Sequence, residues 1–373
     1  MINAFKYRLY PNAHQARELE TMLETHRRLY NECLAQRKER YEIAQKSVKY
    51  TQQSAWFKSE RGVNEWYARL NFSSAQATMR RLDKAFQAFF RRIKAGEKPG
   101  YPRFKARGRF DSWTYPAHGD GARLLDGQLR LQHVGLVKVR QHRPVEGAVK
   151  TVQVKNEAGK WFVIASCNIG DGPAPRAEDT SVGLDVGLAY FLSTDQGEHV
   201  DNPRYQKEAL RQLRIAGRAV SRKRKGGRNR AKAVARLRAI HARVANKRRD
   251  YHHKVARDLV SRYAFIAAES LTVSNMVRNR RLSRSISDAG WRQFLNILRA
   301  KAESAGSVWV EVPPQGTSQA CSGCDTLVRK SLSVRQHHCP ECGLRLQRDV
   351  NAARNILARG QARMEPVRLN VAQ

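Results

Sequence analysis

Apolar and basic positions alternate at the start of the chain: Phe5, Tyr7 and Leu9 are apolar, Lys6 and Arg8 are cations. A period of two predicts a strand, which Tyr10-Pro11-Asn12 stops. From His14 to about Lys46 the period becomes helical, with Leu19, Leu23, Tyr30 and Leu34 on one face. A second helix is predicted from Ser73 to about Ala95. Its apolar face (Ala75, Met79, Leu82, Phe86, Phe89, Phe90, Ile93) reads as core, and cations crowd its other positions. Residues 96 to 111, GEKPGYPRFKARGRFD, break that helix with Gly and Pro. They mix rings with cations, which suits backbone contact and base stacking; a solvated loop is the alternative. From Leu124 to Asn168 alternation returns, as a hairpin (RLLDGQLRL) and further strands (GLVKVRQH, VKTVQVKNEAGKWFVIASCNI). DGPAPRAEDT reads as a linker, so a new domain begins at Ser181.

In the second half, SVGLDVGLAYFLSTD reads as strand, turn and strand, with Asp185 inside the first. YAFIAAESL is a buried strand ending in Glu269, SVWVEVPP a third strand, and DVNAARNILARG a helix opened by Asp349. Between them, Leu210, Leu213 and Val220 mark one helix and Val234, Leu237, Ile240 and Val244 another. SRKRKGGRNR separates them, which predicts an αα-hairpin with one apolar seam and a basic exterior.

Charge changes the picture from fold to partner. The 373 residues predict two or three modules, and 41% hydrophobic residues are enough for real cores. Lys and Arg number 70 against 33 Asp and Glu, a net charge of +37. That excess favours a polyanion, because each neutralised phosphate releases counterions. No apolar run reaches membrane-spanning length and the N-terminus has no signal-like apolar segment, so nucleic acid in the cytoplasm, not a membrane, is the expected partner. Residues 204 to 257 hold 20 Lys and Arg against two acids. A charge run is ordinarily a solvated face, but like charges this unbalanced repel one another, which predicts nucleic-acid contact. Arg222, Lys223, Arg224, Lys225 and Arg228 are the candidates there; Gln76, Tyr101, Arg103 and Lys105 are candidates in the first half.

Six cysteines divide into two isolated ones, Cys33 and Cys167, read as small buried hydrophobes, and four in two CxxC pairs: Cys321, Cys324, Cys339 and Cys342. Two such knuckles complete a tetrahedral thiolate shell, a zinc-ribbon pattern. Four sulfur ligands leave no open position, so the zinc is expected to be structural. Gly323 and Gly343 fit the tight knuckle turns, and His337 and His338 are read as bystanders. Three acids stand apart from the basic background. Asp185 and Glu269 lie in apolar strands, where an unpaired carboxylate is costly. Asp349 sits in a first helical turn, where capping is the alternative reading. Together they predict an acidic centre for hard divalent cations such as Mg²⁺, two of which can clamp an in-line phosphodiester displacement.

The ordered set GLDVGL (183–188), AESL (268–271) with NMVRNRRLSRSISDAGW (275–291), CSGC…CPECG (321–343) and RDVNAARNIL (348–357) resembles TnpB. That family comprises RNA-guided DNA endonucleases of bacterial insertion sequences, related to the type V CRISPR nucleases. YRLYPN (7–12) and GYPRFK (100–105) extend the likeness over nearly the whole chain. A lone GLDVGL is weak; the ordered combination is specific. The resemblance implies a multidomain α+β fold. A β-barrel wedge domain (1–12 and 97–180) carries an inserted helical recognition lobe (13–96). An RNase-H-like (RuvC) α/β nuclease domain (181–313 and 348–373) carries the basic hairpin and an inserted four-cysteine zinc ribbon (314–347). It also implies Asp185, Glu269 and Asp349 as the catalytic, magnesium-binding triad. The partners implied are a guide RNA from the transposon end and double-stranded target DNA with a short flanking motif, on a monomeric protein. Two other classes stay open: a nuclease-inactive RNA-guided repressor, against which the intact acids argue, and a DNA-strand transposase, which the order of ribbon and last acid fits less well.

Overall fold

A computed structural model describes residues 1–177, 179–331 and 333–371, with side chains to residue 364. It divides into two compact units, Met1–Asp171 and Gly172–Gln373.

In the first unit, β1 (Ile2–Tyr10) buries Phe5, Tyr7 and Leu9, the alternate residues of its pattern. Asn12 ends it and caps α1 (Ala13–Ala44): its side-chain carbonyl oxygen accepts from the Gln15 N–H at 2.8 Å while the Gln15 side chain returns to the Asn12 N–H. After α1 come α2 (Tyr50–Val63), α3 (Glu65–Ala68) and α4 (Phe72–Lys94). Then β2 (Ser112–Tyr115), β3 (Ala122–Leu125), β4 (Gln128–Leu131), β5 (Gly135–Arg140), β6 (Ala148–Glu157) and β7 (Lys160–Asn168) complete an antiparallel sheet in the order β2-β6-β7-β1-β5-β4-β3. The helices therefore arise between β1 and the rest of its own sheet. The apolar face of α4 is core only as far as Phe86. Phe90 and Ile93, read from the sequence as core, are 51% and 48% exposed, because the last turns of α4 run past the packed layer. A buried polar layer joins the helices: Arg37 donates to Gln53 and to Asp83, each at 2.9 Å, and His26 meets Thr78 at 2.9 Å.

The second unit is built on a five-stranded sheet. β8 (Ser181–Val186), β9 (Tyr190–Thr194) and β10 (His199–Asp201) form an antiparallel meander. A helical excursion follows: α5 (Tyr205–Glu208), α6 (Leu210–Ser221) and α7 (Arg228–Arg262). The chain returns as β11 (Phe265–Glu269), parallel to β8. α8 (Val273–Met276), α9 (Ser283–Ala289) and α10 (Trp291–Ala305) lead to β12 (Val308–Val312), parallel to β11. The order is β10-β9-β8-β11-β12. The seam of the α6–α7 hairpin is partial: Leu213, Ala216 and Val244 are buried, whereas Val234, Leu237 and Ile240 are half-buried. A small hairpin, β13 (Gln336–His338) and β14 (Arg345–Gln347), precedes α11 (Arg348–Val371), which packs on β8, β9 and β11. Two glycines allow that approach. A Cβ on Gly183 would overlap the Ala353 carbonyl oxygen, and one on Gly360 would lie 2.7 Å from the Ala267 Cβ. Among the described residues no helix is long and apolar enough to cross a membrane.

Candidate active site and cysteine cluster

The register of β8 and β11 sets Ala268 opposite Leu184. One residue further along these parallel strands, Glu269 stands level with Asp185, both at C-terminal strand ends. Asp349 arrives from the first turn of α11. The Asp185 carboxyl is held well above its ordinary range, by burial first, then by the charges of Glu269 and Asp349; Arg348 opposes this. Burial also raises Glu269, against a hydrogen bond from Thr317 Oγ1 at 2.5 Å and the positive charge of Arg359. Asp349 is buried. Its Oδ1 accepts from Arg348 Nη2 at 3.2 Å, and Arg335 Nη1 lies 4.0 Å from its Oδ2. The structure thus brings the three predicted acids, from three segments, near enough for Asp185 to feel the charges of the other two. Carboxylate oxygens near one another repel, and a divalent cation is the kind of ion that relieves such repulsion.

The four predicted cysteines also meet. Their sulfurs all lie within 4.8 Å of one another, with Cys321–Cys342 at 3.6 Å and Cys324–Cys339 at 3.5 Å. A tetrahedral ion with metal–sulfur bonds of about 2.3 Å needs sulfurs about 3.8 Å apart, so the set fits. Gly343 has φ +71°, so the second knuckle depends on glycine, whereas a Cβ on Gly323 would only press the Leu344 side chain at 3.3 Å. His337 is buried beside Lys330 and His338 is exposed; the sulfur cluster includes neither.

Three polar residues that sequence reasoning passed over tie the two sites together. Asn351 Nδ2 donates to Ala320 O at 2.8 Å, and its Oδ1 accepts from the Ser322 N–H at 3.0 Å, on either side of Cys321. Asn355 Nδ2 donates to Thr317 O and Ala320 O, both at 2.8 Å. Thr317 in turn holds Glu269. The available signal was two asparagines four apart on one face of the helix that Asp349 opens.

Of the nucleic-acid candidates, Arg222, Lys223, Arg224, Lys225 and Arg228 all lie where α6 passes into α7, and all five are exposed. Arg103 is exposed, and Tyr101 sets its edge against Phe86 and Phe89 at 5.6 and 5.4 Å. Lys105 lies over the Tyr30 ring at 5.6 Å. Gln76 donates to Ser54 Oγ at 3.2 Å, so part of its polar capacity is spent inside the fold.

Three family models match: a "Cas12f1-like, TNB domain" over residues 291–356, a "Probable transposase" over 151–280 and a "Helix-turn-helix domain" over 1–46, where this structure has one strand and one long helix. A "Putative RNA-guided DNA endonuclease" of Streptomyces pristinaespiralis is 36% identical over 370 residues, covering 96% of this chain and 89% of its own. InsQ of Escherichia coli K12, described in the same words, is 32% identical over 384 residues, covering 97% and 93%. Among solved structures, Cas12f1 in its complex with sgRNA and target DNA aligns at a TM-score of 0.59 and 13% identity, over 95% of this chain and 98% of that one. That likeness is one of fold: mixed α and β, several sheets, and a cysteine cluster towards the C-terminus.

Proposed function

The chain belongs to the TnpB family, and from that premise we propose that it is an RNA-guided DNA endonuclease of an insertion sequence. It binds a guide RNA from the transposon end, engages double-stranded DNA beside a short flanking motif, and cuts the guide-matched DNA. The observation that carries this reading is the convergence of Asp185, Glu269 and Asp349, with Asp185 driven up in pKa by burial and by its two acidic neighbours. We assign these three as catalytic residues and as the ligands of Mg²⁺. When bound there, a pair of ions supplies an activated water and stabilises the leaving 3′ oxygen. The chain's own residues do the positioning. Thr317 fixes one Glu269 oxygen, Arg348 and Arg335 steady Asp349, and the sheet register keeps Asp185 and Glu269 level. The four cysteines hold a structural zinc. The basic α6–α7 hairpin contacts the phosphate backbone, leaving sequence to be read by pairing with the guide.

The same reading assigns the parts. The seven-stranded sheet is the wedge, residues 13–96 the recognition lobe, the five-stranded sheet with α11 the RNase-H-like nuclease, and 314–347 the zinc ribbon.

Asp349→Asn tests the assignment. α11 starts at Arg348, so the structural alternative for Asp349 is a first-turn charge on the helix dipole, worth about 0.3–1 kcal/mol, and in that role the variant loses little. As a metal ligand, the change removes charge and lowers cleavage of a matched duplex at saturating Mg²⁺ by orders of magnitude, while guide and target binding persist. Near-normal cutting would leave Asp349 as a first-turn helix-dipole residue.

A further inference from the structure

A cavity of about 420 Å³ in the first unit opens between α1, the α2–α3 junction and the loop 96–111. Its walls include Arg27, Arg28, Asn31, Glu32, Trp66 and Phe104. Trp66 and Phe104 are each 51% exposed, although side chains of this size are usually kept largely from water. Neither is loose. Asn31 grips the Lys105 backbone from both sides, accepting from its N–H at 2.7 Å and donating to its carbonyl at 3.0 Å; Arg27 donates to the same carbonyl at 2.7 Å. That fastens the residue next to Phe104. Asn64 Oδ1 accepts from the Trp66 and Tyr67 N–H groups at 3.0 and 3.3 Å, which fixes the backbone carrying the indole. The Arg28 guanidinium lies 5.5 Å from the Trp66 ring centroid.

We infer that this cavity is a seat for one unpaired nucleobase of the bound nucleic acid, between Trp66 and Phe104. The inference rests on the nucleic-acid function proposed above and adds a specific subsite to it. Two exposed rings on fastened backbone line one cavity, and aromatic faces are what any base stacks on. Arg28 supplies a cation at the rim for the adjoining phosphate. Glu32 can only accept, so it addresses an amino group of the base and not the backbone. The local charges nearly cancel: Glu24 takes Arg27 at 2.6 Å and also meets Arg28 at 3.3 Å. Stacking, with electrostatics secondary, is therefore the main attraction. The chemistry suits a base splayed out of a single strand or loop, not the edge of a paired duplex.

Trp66 reports on its own occupancy. The full chain, cleared of copurified nucleic acid, is titrated with a fluorescein-labelled single-stranded RNA of about 12 nucleotides, a length that spans one stacking site. Anisotropy follows binding anywhere on the protein. The emission difference between wild type and Trp66→Ala isolates the pocket. The Trp66 component should be quenched over the same concentrations. Phe104→Ala, an exposed change that spares the core, should move the quenching midpoint about tenfold higher. Arg28→Gln should lower the log–log salt slope of quenching by about one unit. Asp349→Asn should quench as wild type does, which separates this inference from the nuclease assignment. RNA bound by anisotropy with Trp66 emission unchanged would overturn the proposal and leave the cavity to a protein side chain or to solvent.

Discussion

His26 shows how one buried side chain sets a pH limit. It is fully buried, bonded to Thr78 and stacked on Trp113 with ring centroids 5.7 Å apart. Burial lowers its pKa from 6.5 to about 3. The unfolded chain takes up that proton near 6.5, the folded chain only near 3. The stability His26 contributes is thus complete above the unfolded value and is lost as pH falls through the window between the two, at about 1.4 kcal/mol per unit. Urea midpoints of the nucleic-acid-free chain should fall from about pH 7 to about 4.5, and His26→Gln should flatten that slope. Gly183 makes a steric point at the same scale. With the Ala353 carbonyl where a Cβ would go, Gly183→Ala must push α11 off β8. Destabilisation of about 1–3 kcal/mol is expected, with cleavage falling more than binding, because Asp349 moves away from Asp185. A melting temperature and cleavage rate equal to wild type would show that this close approach is not needed.

Elements differ in how legibly they are written. The strands bearing Asp185 and Glu269 are plain, since a carboxylate inside an apolar run is itself a signal, and the CxxC spacing announces its own geometry. α2 is not legible in the same way: only Gln53 and Phe57 of its fourteen residues are buried, too few to set a period. β2 is four residues long, below the length at which alternation can be counted. Thr317, Asn351 and Asn355 read as solvated polar positions because most of their partners are backbone groups that only the folded ribbon presents. The ribbon carries the clearest element-level expectation. Cys342→Ser should lose the metal and unfold the ribbon locally, because such folds draw their stability largely from it. Retention of stoichiometric zinc and an unchanged melting temperature would refute that. At the basic hairpin, neutralising Arg222, Lys223, Arg224 and Lys225 together should flatten the salt dependence of nucleic-acid binding, by about one log–log unit for each phosphate that is no longer neutralised. An unchanged slope would make the loop a solvated face.

Across the whole molecule the charge of +37 acts in two opposite directions. Alone, the chain repels itself, and added salt screens that repulsion. Bound to nucleic acid, it gains from counterion release, which added salt opposes. Raising NaCl from about 0.05 to about 0.5 M should therefore raise the melting temperature of the stripped protein and lower that of the ribonucleoprotein. Thermal melts of both forms, side by side, check the sign.

The close docking of α11 has a consequence in time as well as in space. Asp185 and Asp349 are far apart along the chain, and long-range contacts are generally completed late in folding. The third acid arrives on a helix that fits only when Gly183 and Gly360 lie flush against their neighbours. Until that helix seats, the acidic group lacks Asp349. On the roles proposed above, seating of α11 is the step that arms the chain.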